Sequence, residues 1–92
     1  MKITFDPAKR EATIGERGLD FEDAGEVFLG TKFEFDDLRF DYGEIRSVTV
    51  SFLRERMVIV VWTQRGEARH VISMRKANDR EKARFGERLG ED

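Results

Sequence analysis

One apolar segment constrains this chain more than any other. Met57 to Trp62, MVIVVW, is apolar at both odd and even positions. A run of that kind reads as a strand buried on both faces at the centre of a sheet. Before it, Glu44 to Leu53 alternates, with Val48, Val50 and Phe52 on one side and Thr49 and Ser51 on the other. After it, Arg69 to Met74 alternates as well. Regular pleating puts His70, Ile72 and Met74 on one face, and Arg69, Val71, Ser73 and Arg75 on the other. Arg54-Glu55 and Gln64 to Glu67, which turns at Gly66, join the three. Strands with so few residues between them pair antiparallel.

The chain around this hairpin pair follows the same logic. Lys2 to Phe5 is a short strand, and Asp6-Pro7 opens a helix. Asp accepts from free first-turn N–H groups, and Pro suits the first helical position because its missing N–H has no partner there. Ala8, Ala12 and Gly15 form a small-residue ridge suited to close packing, and Gly15 and Gly18 bracket the helix end. Asp20 reads as the next N-cap, Phe21, Ala24, Val27 and Phe28 as one buried face, and Gly30 as the stop. Lys32 to Asp36 is a strand with Phe33 and Phe35 inward, and Asp37 to Gly43 a loop. Asn78 to Glu81 resembles a capping box, ahead of a helix whose apolar seam is Phe85 and Leu89. Gly90 to Asp92 is expected to fray. The expected fold class is α+β: an N-terminal strand and a helix pair packed together over one sheet face, an antiparallel meander of about four strands, and a C-terminal helix. A single domain over residues 1–92 has no room for a second core.

Charge is unevenly spread. Residues 1–53 carry 7 basic and 12 acidic side chains, whereas residues 54–88 carry 10 basic and 5 acidic. A basic C-terminal half can attract an anion although the net charge is −2. The absence of Cys removes disulfide and thiolate chemistry and fits a reducing cytoplasm. Met1 leads directly into KITFD, which predicts no signal peptide, and the apolar run at Met57 is too short to cross a bilayer.

The motifs for metal, nucleotide or serine-type chemistry do not occur: one His with scattered carboxylates is a poor ligand set, so no metal and no cofactor are expected. Phosphodiester cleavage with the 2′-OH of RNA as nucleophile remains open. It needs a base, an acid and cations for the charged transition state. Arg65, Arg69 and Arg75 are the candidate cations, because a guanidinium matches a phosphate. His70 is the only side chain whose ordinary pKa lies near neutrality. Glu81 stands at the start of the last helix, one turn before Phe85.

Read together, FDPAKREATIGERGLDFEDAGEVF, DYGEIR and WTQRGEARHVISMRKANDREKARF resemble the BrnT family, toxins of bacterial type II toxin–antitoxin pairs distantly related to the RelE-like ribonucleases. The likeness covers nearly the whole chain and rests on the order and spacing of its pieces. It implies a RelE-like fold and a metal-independent, RNA-cleaving growth inhibitor in the cytoplasm. It also implies a BrnA-like antitoxin, bound in a hetero-oligomer that meets operator DNA only through the antitoxin. Lys9, Arg65, Ser73, Arg75 and Glu81 fall on matching family positions. The candidate catalytic set is Arg65, His70, Arg75 and Glu81; the resemblance implies Arg65 and Arg75 on the scissile phosphate and Glu81 orienting an arginine. Lys9, Arg17, Arg69, Ser73 and Lys76 are the candidate RNA contacts. Departures occur where Arg17 replaces a common His, Glu16 a usual Lys, Thr13 a common Asn and His70 a frequent Arg. They leave as an alternative a weak or inactive toxin-fold protein that acts through antitoxin binding and operon autoregulation.

Overall fold

The computed structural model describes residues 1–30 and 32–89; the expected fraying of Gly90 to Asp92 lies outside the described residues. The elements are β1 (Lys2–Phe5), α1 (Pro7–Arg17), a 3-10 turn (Phe21–Asp23) running into α2 (Ala24–Leu29), β2 (Phe33–Asp36), β3 (Ser47–Leu53), β4 (Arg56–Arg65), β5 (Ala68–Lys76), α3 (Asp79–Gly86) and a closing 3-10 turn (Glu87–Leu89). They build one five-stranded sheet in the order β1-β5-β4-β3-β2. β2 to β5 form the antiparallel meander expected from their short connections. β1 adds to the free side of β5 in parallel, from Lys2 opposite Ala68 to Phe5 opposite Val71, so the α+β sheet is mixed.

The expectation of a single core is corrected: each face of the sheet buries its own, which is why β4 is apolar throughout. Val58, Val60 and Trp62 join Val71, Met74, Phe21, Val27 and Phe28 beneath α2. Met57, Ile59 and, less deeply, Val61 join Val48, Val50, Phe85 and Leu89 beneath α3. Val58 and Val60 are fully buried, and each such aliphatic side chain contributes on the order of 1.5–3 kcal/mol.

The expected face assignment in β5 is corrected by a bulge. Val61 pairs with Ser73, but the next residue, Trp62, pairs with Val71, so Ile72 is an extra residue on β5. The extra residue inverts the alternation on one side of it. Arg69, Val71 and Met74 therefore share the α2 face, where Arg69 stacks over Phe28 and Trp62 and the other two enter the core. His70, Ser73 and Arg75 pair with Thr63, Val61 and Ile59 and share the opposite, α3 face. Period-2 reasoning separates His70 from Arg75; the bulge puts them on the same side.

The two N-terminal helices pack mainly on the sheet, and Arg10 of α1 donates to Asp20 at 2.7 and 2.9 Å just ahead of the turn into α2. α2 lies on β3 and β1, while α1 lies along β5. There the Arg17 guanidinium donates to the Met74 carbonyl at 3.0 Å, next to a stretch of β5 that β1 does not reach. The Ala8, Ala12 and Gly15 ridge faces solvent, and Thr13 is the buried residue of α1. A ridge of small side chains buries too little apolar area to direct a helix inward. The helix ends follow the sequence: the Asp6 carboxylate accepts from the Ala8 N–H, and Gly18 closes the helix at φ 68°.

Candidate active site

The site is built where β5 hands over to α3. Asn78 caps α3: its side chain accepts from the Glu81 N–H at 2.8 Å, and the Glu81 carboxylate accepts from the Asn78 N–H at 3.0 Å. The expected capping box is present. The same carboxylate reaches across to β5 and accepts from Nη1 and Nη2 of Arg75, both at 2.7 Å. A fork-on-fork pair of this kind fixes the plane of the guanidinium as well as its position. The bond to Arg75 holds Glu81 down to a pKa of about 2, against the opposing effect of burial. Glu81 in turn raises the pKa of Arg75. A carboxylate so acidic is a poor proton acceptor near neutrality, so Glu81 serves as a positioning residue for Arg75.

Arg75 opens onto a cleft of about 510 Å³ between α3, the sheet and the start of the β2–β3 loop. Val48, Val50, Ile59 and Val61 form its floor, and Ser73, Arg39, Arg84, Phe35 and Phe85 also line it. The loop is braced rather than loose. The Asp37 side chain is only 3% exposed and takes Nε and Nη2 of Arg39 at 2.9 and 3.0 Å, together with the Tyr42 hydroxyl at 3.1 Å. The Asp37 N–H donates to the Arg46 carbonyl at 2.8 Å, closing the loop on itself. These bonds, with Arg39 foremost, hold the Asp37 carboxyl well below the ordinary range. Arg39 carries its charge toward Arg75 and opposes the effect of Glu81 on it.

Three of the residues expected at the site therefore come together: Ser73, Arg75 and Glu81. His70 and Arg65 are on the same sheet face but further along. His70 pairs with Thr63, four β4 positions from the partner of Arg75, which is roughly 13 Å of strand. Arg65 is six β4 positions from Ile59, roughly 20 Å of strand. Arg65 pairs with Glu44 at 3.6 Å. The His70 Nδ1 meets the Thr4 hydroxyl at 2.9 Å. Burial first, then the nearby charge of Arg65 and more weakly of Lys9, push the His70 pKa below its ordinary value.

The remaining expected contacts lie elsewhere. Lys9 projects from the exposed side of α1, and Arg17 braces the β5 edge. Lys76 is exposed at the end of β5, opposite Val58. Arg69 lies on the other face, its guanidinium 4.4 Å from the Trp62 ring and 4.6 Å from that of Phe28.

Sequence reasoning passed over Arg39 and Arg84. Arg84 carries a readable signal, since Glu81, Arg84 and Phe85 are spaced i, i+3, i+4 and share a helix face. Arg39 had none, because the Asp37 carboxylate that holds it is buried by a loop closure no periodicity reveals.

Taken together, this is an α+β protein whose sheet face holds an oriented arginine at the mouth of a cleft, an arrangement suited to a phosphate-bearing ligand. Residues 5–81 match the family model described as ribonuclease toxin, BrnT, of type II toxin–antitoxin system, and the chain belongs to that family. The match runs from Phe5 of the opening motif to Glu81 itself, and it bears out the family read from the three sequence stretches. Membership implies an antitoxin as partner. Comparison with curated proteins gives no match. No helix among the described residues is long and apolar enough to cross a membrane.

Proposed function

We propose that this toxin arrests growth as a metal-independent endoribonuclease in the cytoplasm, with Arg75 as the cation on the scissile phosphate. The observation that carries this reading is the bidentate Arg75–Glu81 pair at the mouth of the cleft. In the reaction the RNA 2′-oxygen attacks its own phosphorus and the bond to the 5′-oxygen breaks. The 2′-proton leaves to a base and the 5′-oxygen gains a proton. The products are a 2′,3′-cyclic phosphate and a 5′-hydroxyl. Negative charge grows on the non-bridging oxygens at the transition state, and a guanidinium already oriented there stabilises it without reorganising. Glu81 supplies that orientation and keeps its own proton off.

His70 is the imidazole on this face, and burial and the charge of Arg65 favour its neutral form. On this reading it meets, with Arg65 and Lys9, nucleotides further along the strand, and the base at the phosphate on Arg75 is left unassigned. Ser73 lies between His70 and Arg75 and lines the cleft. A BrnA-like antitoxin in a hetero-oligomer would neutralise the toxin and contact operator DNA on its behalf. The test is induced expression without a partner. Growth should stop and cellular RNA should be cut, and Arg75→Ala should abolish both while the protein stays folded. Intact RNA in cells that accumulate the folded wild-type protein would sink the enzyme reading.

A further inference from the structure

A phosphate anchored by Arg75 needs no dry surface beside it, yet the cleft has one. Above the buried Val48, Val50 and Ile59 and the half-buried Val61, Leu38 lines it with 86% of its surface exposed. Phe35 stands at the side with 41% of its surface exposed. Its ring is stacked on Phe85 at 6.3 Å between centroids and 17° between planes, so its orientation is set from behind. Leaving an aromatic ring half open next to aliphatic surface costs hydration free energy unless something apolar and flat covers it. Two further guanidiniums flank the same space: Arg39, locked by Asp37, and Arg84, 5.2 Å over the Phe85 ring. An exposed aromatic and aliphatic side and three cations lining one cleft together match the two ends of a nucleotide, a base and a phosphate. About 510 Å³ falls in the range of small-ligand pockets.

We infer that the cleft is a subsite for one unpaired nucleotide. Its base lies against Phe35 and Leu38, and its phosphate sits among Arg75, Arg39 and Arg84. As a statement about RNA this rests on the ribonuclease reading; as a statement about binding it does not. A base held in this way has left its stack and its partner, so the subsite selects single strands. A paired base must first be pulled from its stack and its partner, whereas a loop base offers its face freely.

The experiment titrates the full-length protein with inorganic phosphate, with each of the four nucleoside monophosphates, and with a short 2′-O-methyl RNA that cannot be cleaved, as single strand and as duplex. At least one nucleotide should bind tenfold or more tightly than inorganic phosphate, and the single strand more tightly than the duplex. Phe35→Leu keeps the position apolar but removes the ring. It should weaken that nucleotide at least fivefold and leave phosphate affinity unchanged. Arg84→Gln, on an exposed helix position, leaves the core untouched and should weaken nucleotide and phosphate alike, which keeps the test decisive where Phe35→Leu unfolds. Nucleotide binding no tighter than phosphate, or nucleotide affinity unmoved in folded Phe35→Leu or in Arg84→Gln, overturns the subsite. A protein that cuts RNA but shows either of those results retains the ribonuclease reading and loses this one. A protein that binds as described but leaves RNA intact does the reverse.

Discussion

Glu81 grips both terminal nitrogens of Arg75 at 2.7 Å while the Asn78 side chain holds the Glu81 backbone N–H at 2.8 Å. One carboxylate thus closes the first turn of α3 and aims the cation of β5. The helix start and the site are a single construction, so damage to one is damage to both.

Glu81→Gln separates the two duties. Glutamine can still accept from the Asn78 N–H, as in an ordinary capping box, but it has no charge and cannot hold Arg75 on both nitrogens. Stability should fall by about 1–2 kcal/mol. Turnover of RNA should fall tenfold or more with little change in KM, because orientation matters most where charge develops. Thermal unfolding beside steady-state cleavage checks both. A KM-only effect would assign Glu81 to substrate binding instead.

Acid should weaken the fold in a defined window. Glu81 titrates at about 2 in the folded chain against an ordinary 4.5, and Asp37 is depressed likewise by Arg39 and Tyr42. The unfolded chain therefore takes up protons first. The contribution of Glu81 is complete above pH 4.5 and is lost as pH falls toward 2, and that of Asp37 is lost at lower pH still. Denaturant unfolding between these limits should show stability dropping with pH. In Glu81→Gln the slope should be shallower, leaving the shares of Asp37 and of Asp20, which Arg10 also holds below the ordinary range.

Arg69 should behave as a packing residue. It is sandwiched against Phe28 and Trp62 and lies 3.9 Å from Glu34, whose carboxylate accepts from Thr49, which in turn accepts from Trp62 Nε1. Arg69→Ala should destabilise the protein by about 1–3 kcal/mol through lost cation–π contact and an emptied stack. RNA cleavage per folded molecule should stay within about twofold of wild type, since Arg69 faces away from the cleft. A tenfold loss of cleavage at unchanged stability would return Arg69 to the RNA-binding set.

The β3–β4 hairpin carries two non-glycine residues at positive φ, Arg54 at 50° and Glu55 at 73°. A two-residue turn with both central residues left-handed favours glycine at the second. Arg54 offsets part of the strain by pairing with Asp23 at 3.3 Å and Glu26 at 3.6 Å. Glu55→Gly should therefore stabilise the protein by about 1 kcal/mol, read as a higher midpoint in denaturant with an unchanged slope.

How far the molecule was legible in its sequence depended on the range of the forces involved. The meander, the Asp6 and Asn78 caps and the buried seam of Phe85 and Leu89 were readable, because periodicity and capping are local. Two kinds of feature were not. The bulge at Ile72 is set by register with β4 and puts on opposite faces His70 and Met74, which a reader places on one. The second is burial decided at a distance: α1 exposes its small-residue ridge because its place is fixed by β1 and by Arg17 on Met74 O. At the site, Ser73, Arg75 and Glu81 were readable from spacing and from the family likeness. Arg39 was not, because a buried Asp37 and a closed loop bring it to the cleft.

The most direct test of the central claim is cleavage of a single-stranded RNA by purified, antitoxin-free protein in excess EDTA, with folded Arg75→Ala as control. The expected result is cleavage that leaves 2′,3′-cyclic phosphate ends in the presence of chelator, and a loss of 10²- to 10³-fold in rate for Arg75→Ala, the scale for removing one transition-state donor. Cleavage that stops with EDTA and returns with a divalent metal, or an Arg75→Ala protein as fast as wild type, would contradict it.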